Sequence, residues 1–110
     1  MKLKNTLQKG SVRYIVFKEN DKWYAVGLEF NIVEVGEDPR EALLSLFEGL
    51  QGYVNSARKM KARPNILNQK TDEEYETLWS ALQKESTGTA RKKLPLVYTF
   101  GQRDLSAVAG

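Results

Sequence analysis

Four carboxylates crowd one short stretch of this chain: Glu29, Glu34, Glu37 and Asp38. Acids gathered at a strand end can hold a divalent cation, and such an ion can activate water against a phosphodiester. That is the one catalytic chemistry for which the chain has the residues. It contains no histidine and no cysteine, which removes the commonest general base, nucleophile and metal ligands. Serines are present, but without a G-x-S-x-G turn, and no glycine pattern suits a phosphate loop. The plainer reading assigns Asp38 to helix capping and the glutamates to solvent. It is the stronger one, so no catalytic residue, no metal ligand and no cofactor is expected.

The elements that must carry these acids are legible in turn. Residues 1–10 read as a frayed lead-in. "SVRYIVFK" is rich in Val, Ile, Tyr and Phe and favours a strand. Its two alternating sets, Val12, Tyr14, Val16 and Arg13, Ile15, Phe17, are both largely apolar, so both faces of the sheet are expected to be partly covered. Asn20 and Asp21 supply turn chemistry, and "KWYAVGLE" returns as the second strand of a hairpin. "FNIVEVG" reads as a third strand, with Ile32 or Val33 setting its inward face and with Glu29 and Glu34 pointing away from the core.

A helix follows. Gly36 ends the strand with a backbone angle that other residues resist. Asp38 caps, Pro39 fits the first helical position, and Glu41 falls at capping-box spacing. Leu43, Leu46, Phe47, Leu50, Tyr53, Val54 and Ala57 then form an apolar stripe at helical period. The helix is expected from Pro39 to about Lys59, with Gly49 and Gly52 permitting close contact with another backbone. Pro64 bars helix before it. Thr71 or Asp72 caps a second helix carrying Tyr75, Leu78, Trp79 and Leu82. "LPLVYTFG" has strand composition, and "QRDLSAVAG" reads as a loose end. The expected fold class is α+β: an antiparallel sheet of three strands plus a C-terminal fourth, a main helix on one face, and a second helix.

At 110 residues the chain suits one domain. Its core is expected at about residues 12–60, with the second helix and last strand at about 71–100. No run approaches the ~18 apolar residues of a membrane span. "MKLKNTLQKG" has no apolar stretch behind its positive charge, so it does not read as a secretory signal. A cytoplasmic protein is expected. Charge is uneven: residues 1–57 carry a net −1 and residues 58–110 a net +4. Arg91, Lys92 and Lys93 are the candidate contacts to an acidic partner such as RNA. A solvated lysine-rich surface explains them as well, since no aromatic residues interleave the basic run.

The succession of three strands followed by "VGEDPREALLSLFEGL" resembles the HicB-like antitoxin family. The resemblance rests on aromatic Trp23 and Tyr24 in the second strand, then on Gly36, Glu37, Asp38, Glu41, Ala42 and Leu43. It covers about residues 12–57. Where family members carry a proline-rich "PDLPGC"-like segment, this chain has "GLEFNI". Residues 60–110 match neither of the DNA-binding modules that many members append. The resemblance implies a truncated ribonuclease H-like fold without the acidic site, and "SVRYIVFK" indeed carries no acid in its body. It also implies a non-enzymatic module that neutralises a small, basic, RNA-cleaving toxin, and association into a homodimer or larger assembly. The contact is expected at Tyr24, Glu29, Phe30 and Glu34: two aromatic anchors and two acids that complement a basic partner. Core burial of Phe30 and plain solvation of the glutamates is the competing reading.

Overall fold

The structure is a computed structural model that describes residues 5–6, 9–85 and 96–105. Strand β1 (Ser11–Glu19) turns into β2 (Lys22–Gly27), which turns into β3 (Ile32–Gly36). Helix α1 (Pro39–Lys59), a short 3₁₀ turn (Pro64–Leu67), helix α2 (Glu73–Glu85) and strand β4 (Leu96–Asp104) follow. The four strands make one antiparallel sheet in the order β3-β2-β1-β4.

The two central strands are apolar on both sides because each side meets a helix. Val12 and Val16 of β1 and Ala25 of β2 pack with Ala42, Leu46, Leu50, Val54 and Ala57 of α1. Ile15, Phe17 and Val26, from the opposite side, pack with Leu78 and Leu82 of α2. Fully burying a side chain of this size contributes roughly 1.5–3 kcal/mol, so each face alone anchors its helix. The second face is therefore covered as well, as the twin apolar sets of β1 led one to expect. α2 lies over residues of β1, β2 and β4, while Val33 and Val35 on β3 stay exposed.

Local chemistry sets the boundaries. Asn20 and Asp21 both adopt positive φ, 53° and 66°, which gives the two-residue turn the twist an antiparallel hairpin needs. Asp38 Oδ1 accepts from the Glu41 amide at 2.9 Å, while Glu41 reaches back to accept from the Glu37 amide at 3.2 Å. This is a capping box displaced by one residue at its second bond. Gly36 does not have the left-handed backbone expected of it. Its reason is space: a Cβ there would lie 2.8 Å from the Ala42 amide nitrogen, so glycine lets the strand end touch the first turn of α1. The two helix glycines differ from expectation as well. A Cβ at Gly49 would meet the Glu34 side chain, and one at Gly52 would meet nothing within 4 Å.

Asn5 and Gln102–Leu105 are tied into the fold, where the sequence reading left them in loose segments. Asn5 is fully buried. Its amide donates to Asn68 Oδ1 at 2.7 Å, its side-chain Nδ2 donates to the Leu67 carbonyl at 2.7 Å, and its Oδ1 accepts from the Ser11 amide at 2.8 Å. Asn5 is thus a strap joining β1 to the 3₁₀ turn. Gln102–Asp104 are not a loose end either: they continue β4 and pair with Ser11–Arg13. Leu105 is buried in the α1-side core.

Candidate partner-binding surface

The four acids that opened the sequence question are dispersed. Glu29 sits in the β2–β3 connection with its side chain 8% exposed, and its Oε2 lies 2.6 Å from Arg13 Nε. Its Oε1 accepts from the Arg13 amide at 2.8 Å. Glu34 stands on β3 beside α1. Glu37 pairs with Lys22 at 3.0 Å, and Asp38 caps α1. Among the described residues, no group of three or more acids is placed to hold a metal ion.

Arg13 gathers the first of these acids into a clasp. Its two terminal nitrogens grip Glu76 of α2 at 2.9 and 2.6 Å. Its guanidinium also lies 5.5 Å from the centre of the Trp79 ring. The hydrogen bonds that Arg13 donates to Glu76 outweigh burial, and with those to Glu29 they hold the Arg13 pKa above its ordinary value. A cleft of about 560 Å³ opens beside the clasp, lined by Arg13, Glu29, Lys70, Thr71 and Glu76 among others. Glu29 and Glu76 in its lining are bound to Arg13, and Thr71 donates to the Leu28 carbonyl. The arrangement locks α2 to the sheet. No sequence signal could reveal it, because Arg13 and Glu76 lie on different elements, 63 residues apart.

The expected contact residues part company. Phe30 is 2% exposed and packs on Tyr53, their ring centres 4.9 Å apart, so it belongs to the core. Glu29 is buried in the clasp and does not point away from the core. Tyr24 is half-buried and stacks on Phe17 at 5.8 Å. Glu34 is half-buried on the α1 side of β3, and it has no ion-pair partner among the described residues. Arg91, Lys92 and Lys93 lie outside the described residues.

What the sequence reading missed is the far side of β3. Register pairs Val33 with Val26 and Val35 with Tyr24, so both valines point to the face that α2 covers farther along the sheet. They remain 42% and 50% exposed, because α2 packs over β1 and does not reach them. Beside them, charge is concentrated. Residues 32–57, which make up β3, the cap and nearly all of α1, carry five acids and one base, a net −4 in a chain of net +3. Glu41 and Glu48, seven residues apart on α1, are both exposed and share one helix face. Alternation in "IVEVG" could have revealed the valines. The sequence reading left open whether Ile32 or Val33 faces inward; Ile32 does.

Among the described residues, no helix is long and apolar enough to cross a membrane. Searches against protein-family models, curated proteins and solved structures find no match to this chain.

Proposed function

We propose that this chain is a non-catalytic protein-binding module, similar to a HicB-family antitoxin, that acts in the cytoplasm by covering a small basic protein. The observation that carries this reading is the charge segregation: net −4 on residues 32–57 within a chain of net +3. A predominantly acidic segment in a chain of net positive charge speeds encounter with a basic partner and disfavours acidic ones. Tyr24 and Glu34 are the expected contact residues that still border this surface. Glu41 and Glu48 extend it along α1. A small RNA-cleaving toxin is the partner class that the family resemblance suggests. The dispersal of Glu29, Glu34, Glu37 and Asp38 into a clasp, a strand face, a surface pair and a cap favours binding over hydrolysis.

Self-association into a homodimer belongs to the same proposal. β4 is the edge better suited to it, with Leu96 63% and Tyr98 49% exposed. A second reading rests on the same segregation. The residues outside 32–57 carry a net +7, which suits an RNA-binding or adaptor role that includes Arg91, Lys92 and Lys93. Affinity purification of the tagged chain from its host decides between them. The protein-binding reading expects a small basic protein that re-forms a defined complex when purified, and loses it on Glu34→Lys with Glu48→Lys. The second reading expects RNA, released steeply by salt.

A further inference from the structure

We propose that the outer edge of β3 accepts an extended basic segment of another protein as a fifth strand of the sheet. The inference rests on the protein-binding reading for the existence of a partner, and goes beyond it in naming the edge, the mode and the side-chain pattern.

Three observations converge on Val33, Glu34 and Val35. β3 closes the sheet on one side, so among the described residues one row of its peptide groups has no strand partner. Such a row is a template for an added strand. Val33 and Val35 offer apolar surface on one face of that edge, 42% and 50% exposed. Between them, on the other face, Glu34 presents a carboxylate within a layer of net −4. A Cβ at Gly49 of α1 would lie 3.5 Å from Glu34 Oε2, so glycine there leaves the carboxylate uncrowded by a helix side chain.

Charge decides which strand fits. Take a second copy, paired antiparallel about a twofold so that Val33 meets Val35 of its mate. Glu34 then faces its own copy, and like charges directly opposite destabilise a strand pair. A charged residue at an edge is a common guard against self-pairing. A segment with Lys or Arg opposite Glu34 and apolar residues on either side meets all three positions. The site therefore favours alternating apolar and basic residues in an extended segment.

The test uses the full chain and three capped eight-residue peptides, followed by amide hydrogen exchange. One peptide alternates valine and lysine, one alternates valine and glutamate, and one is the lysine peptide with alternate amides N-methylated. The expected result is that the lysine peptide slows exchange in Ile32–Gly36 at least tenfold, while the other two do not. In Glu34→Lys, with an unchanged melting curve, preference should pass to the glutamate peptide. No slowing in β3, equal slowing by the lysine and glutamate peptides, or a dimer dissolved by Val33→Lys would overturn the proposal. A captured basic protein that slows α1 but leaves β3 unchanged overturns it too, while the protein-binding reading stands. Lysine-peptide docking at β3 with no basic protein captured from the host has the reverse meaning.

Discussion

Arg13 of β1 and Glu76 of α2 are joined by two parallel hydrogen bonds, at 2.9 and 2.6 Å. The same guanidinium holds Glu29, whose side chain is 8% exposed against 41% for Glu76. One cation therefore serves a buried acid and a partly solvated one.

That difference in exposure orders the mutants. Arg13→Met takes from buried Glu29 the guanidinium that grips it, and breaking a buried pair in this way costs about 3–5 kcal/mol. Glu76→Gln leaves Arg13 still bound to Glu29, and loss of a partly solvated partner costs about 1 kcal/mol or less. Urea denaturation measures both. Equal losses would mean that Glu29 is better hydrated than its surroundings suggest.

Around Gly36 and Asp38 the strand end and the helix start compete for one space. Asp38→Ala removes the cap and should cost about 0.5–2 kcal/mol. Gly36→Ala forces a methyl to within 2.8 Å of the Ala42 amide nitrogen, and overpacking of this kind costs about 1–3 kcal/mol. The contact is with backbone, so side-chain repacking cannot relieve it. Midpoints of urea melts give the comparison; a neutral Gly36→Ala would show that α1 can slide outward.

Asn5 predicts a long-range loss from a residue near the chain start. Asn5→Ala strips the Ser11 amide and the Leu67 carbonyl of their partners. Each buried group left unsatisfied costs about 1–3 kcal/mol. Exchange of the Ser11 amide should accelerate together with that loss. A change confined to residues before Ser11 would mean that the strap is dispensable.

Tyr75 supplies a pH signature. Burial first, then the charges of Glu74, Asp72 and Glu19, hold its hydroxyl above the ordinary value of 10. The folded state thus favours the neutral phenol. Its contribution is complete below about pH 10 and is lost as pH rises through the folded value. Tyr75→Phe keeps the ring against Phe17 and removes the ionisation. The stability difference, wild type minus Tyr75→Phe, should fall from pH 9 to pH 11. A flat difference would contradict the burial of this hydroxyl.

Where local chemistry decides a boundary, the sequence read well. Asp38-Pro39-Arg40-Glu41 placed the start of α1, and Asn20-Asp21 placed the hairpin turn. The twin apolar sets of β1 announced a sheet covered on both faces. Reading failed where a residue answers to something distant in the chain. Asn5 is buried because Asn68 and Leu67 receive it, sixty-odd positions away. Glu29 looked solvent-directed because the cation that buries it sits on another strand. Gln102–Asp104 look polar and loose, yet Ser11–Arg13 hold them in the sheet. The candidate surface was legible only in part. Tyr24 and Glu34 border it, Phe30 does not, and the exposure of Val33 and Val35 depends on where α2 stops.

If the acidic β3–α1 layer binds a basic protein, salt must slow their encounter. The most direct measurement is the association rate of the purified chain with the basic protein captured on it from its host, followed against ionic strength. The expected result is a rate that falls with added salt, and an affinity at least tenfold weaker, about 1.4 kcal/mol, in Glu34→Lys with Glu48→Lys at an unchanged melting temperature. An affinity indifferent to both substitutions, or a chain that captures only RNA, would contradict it.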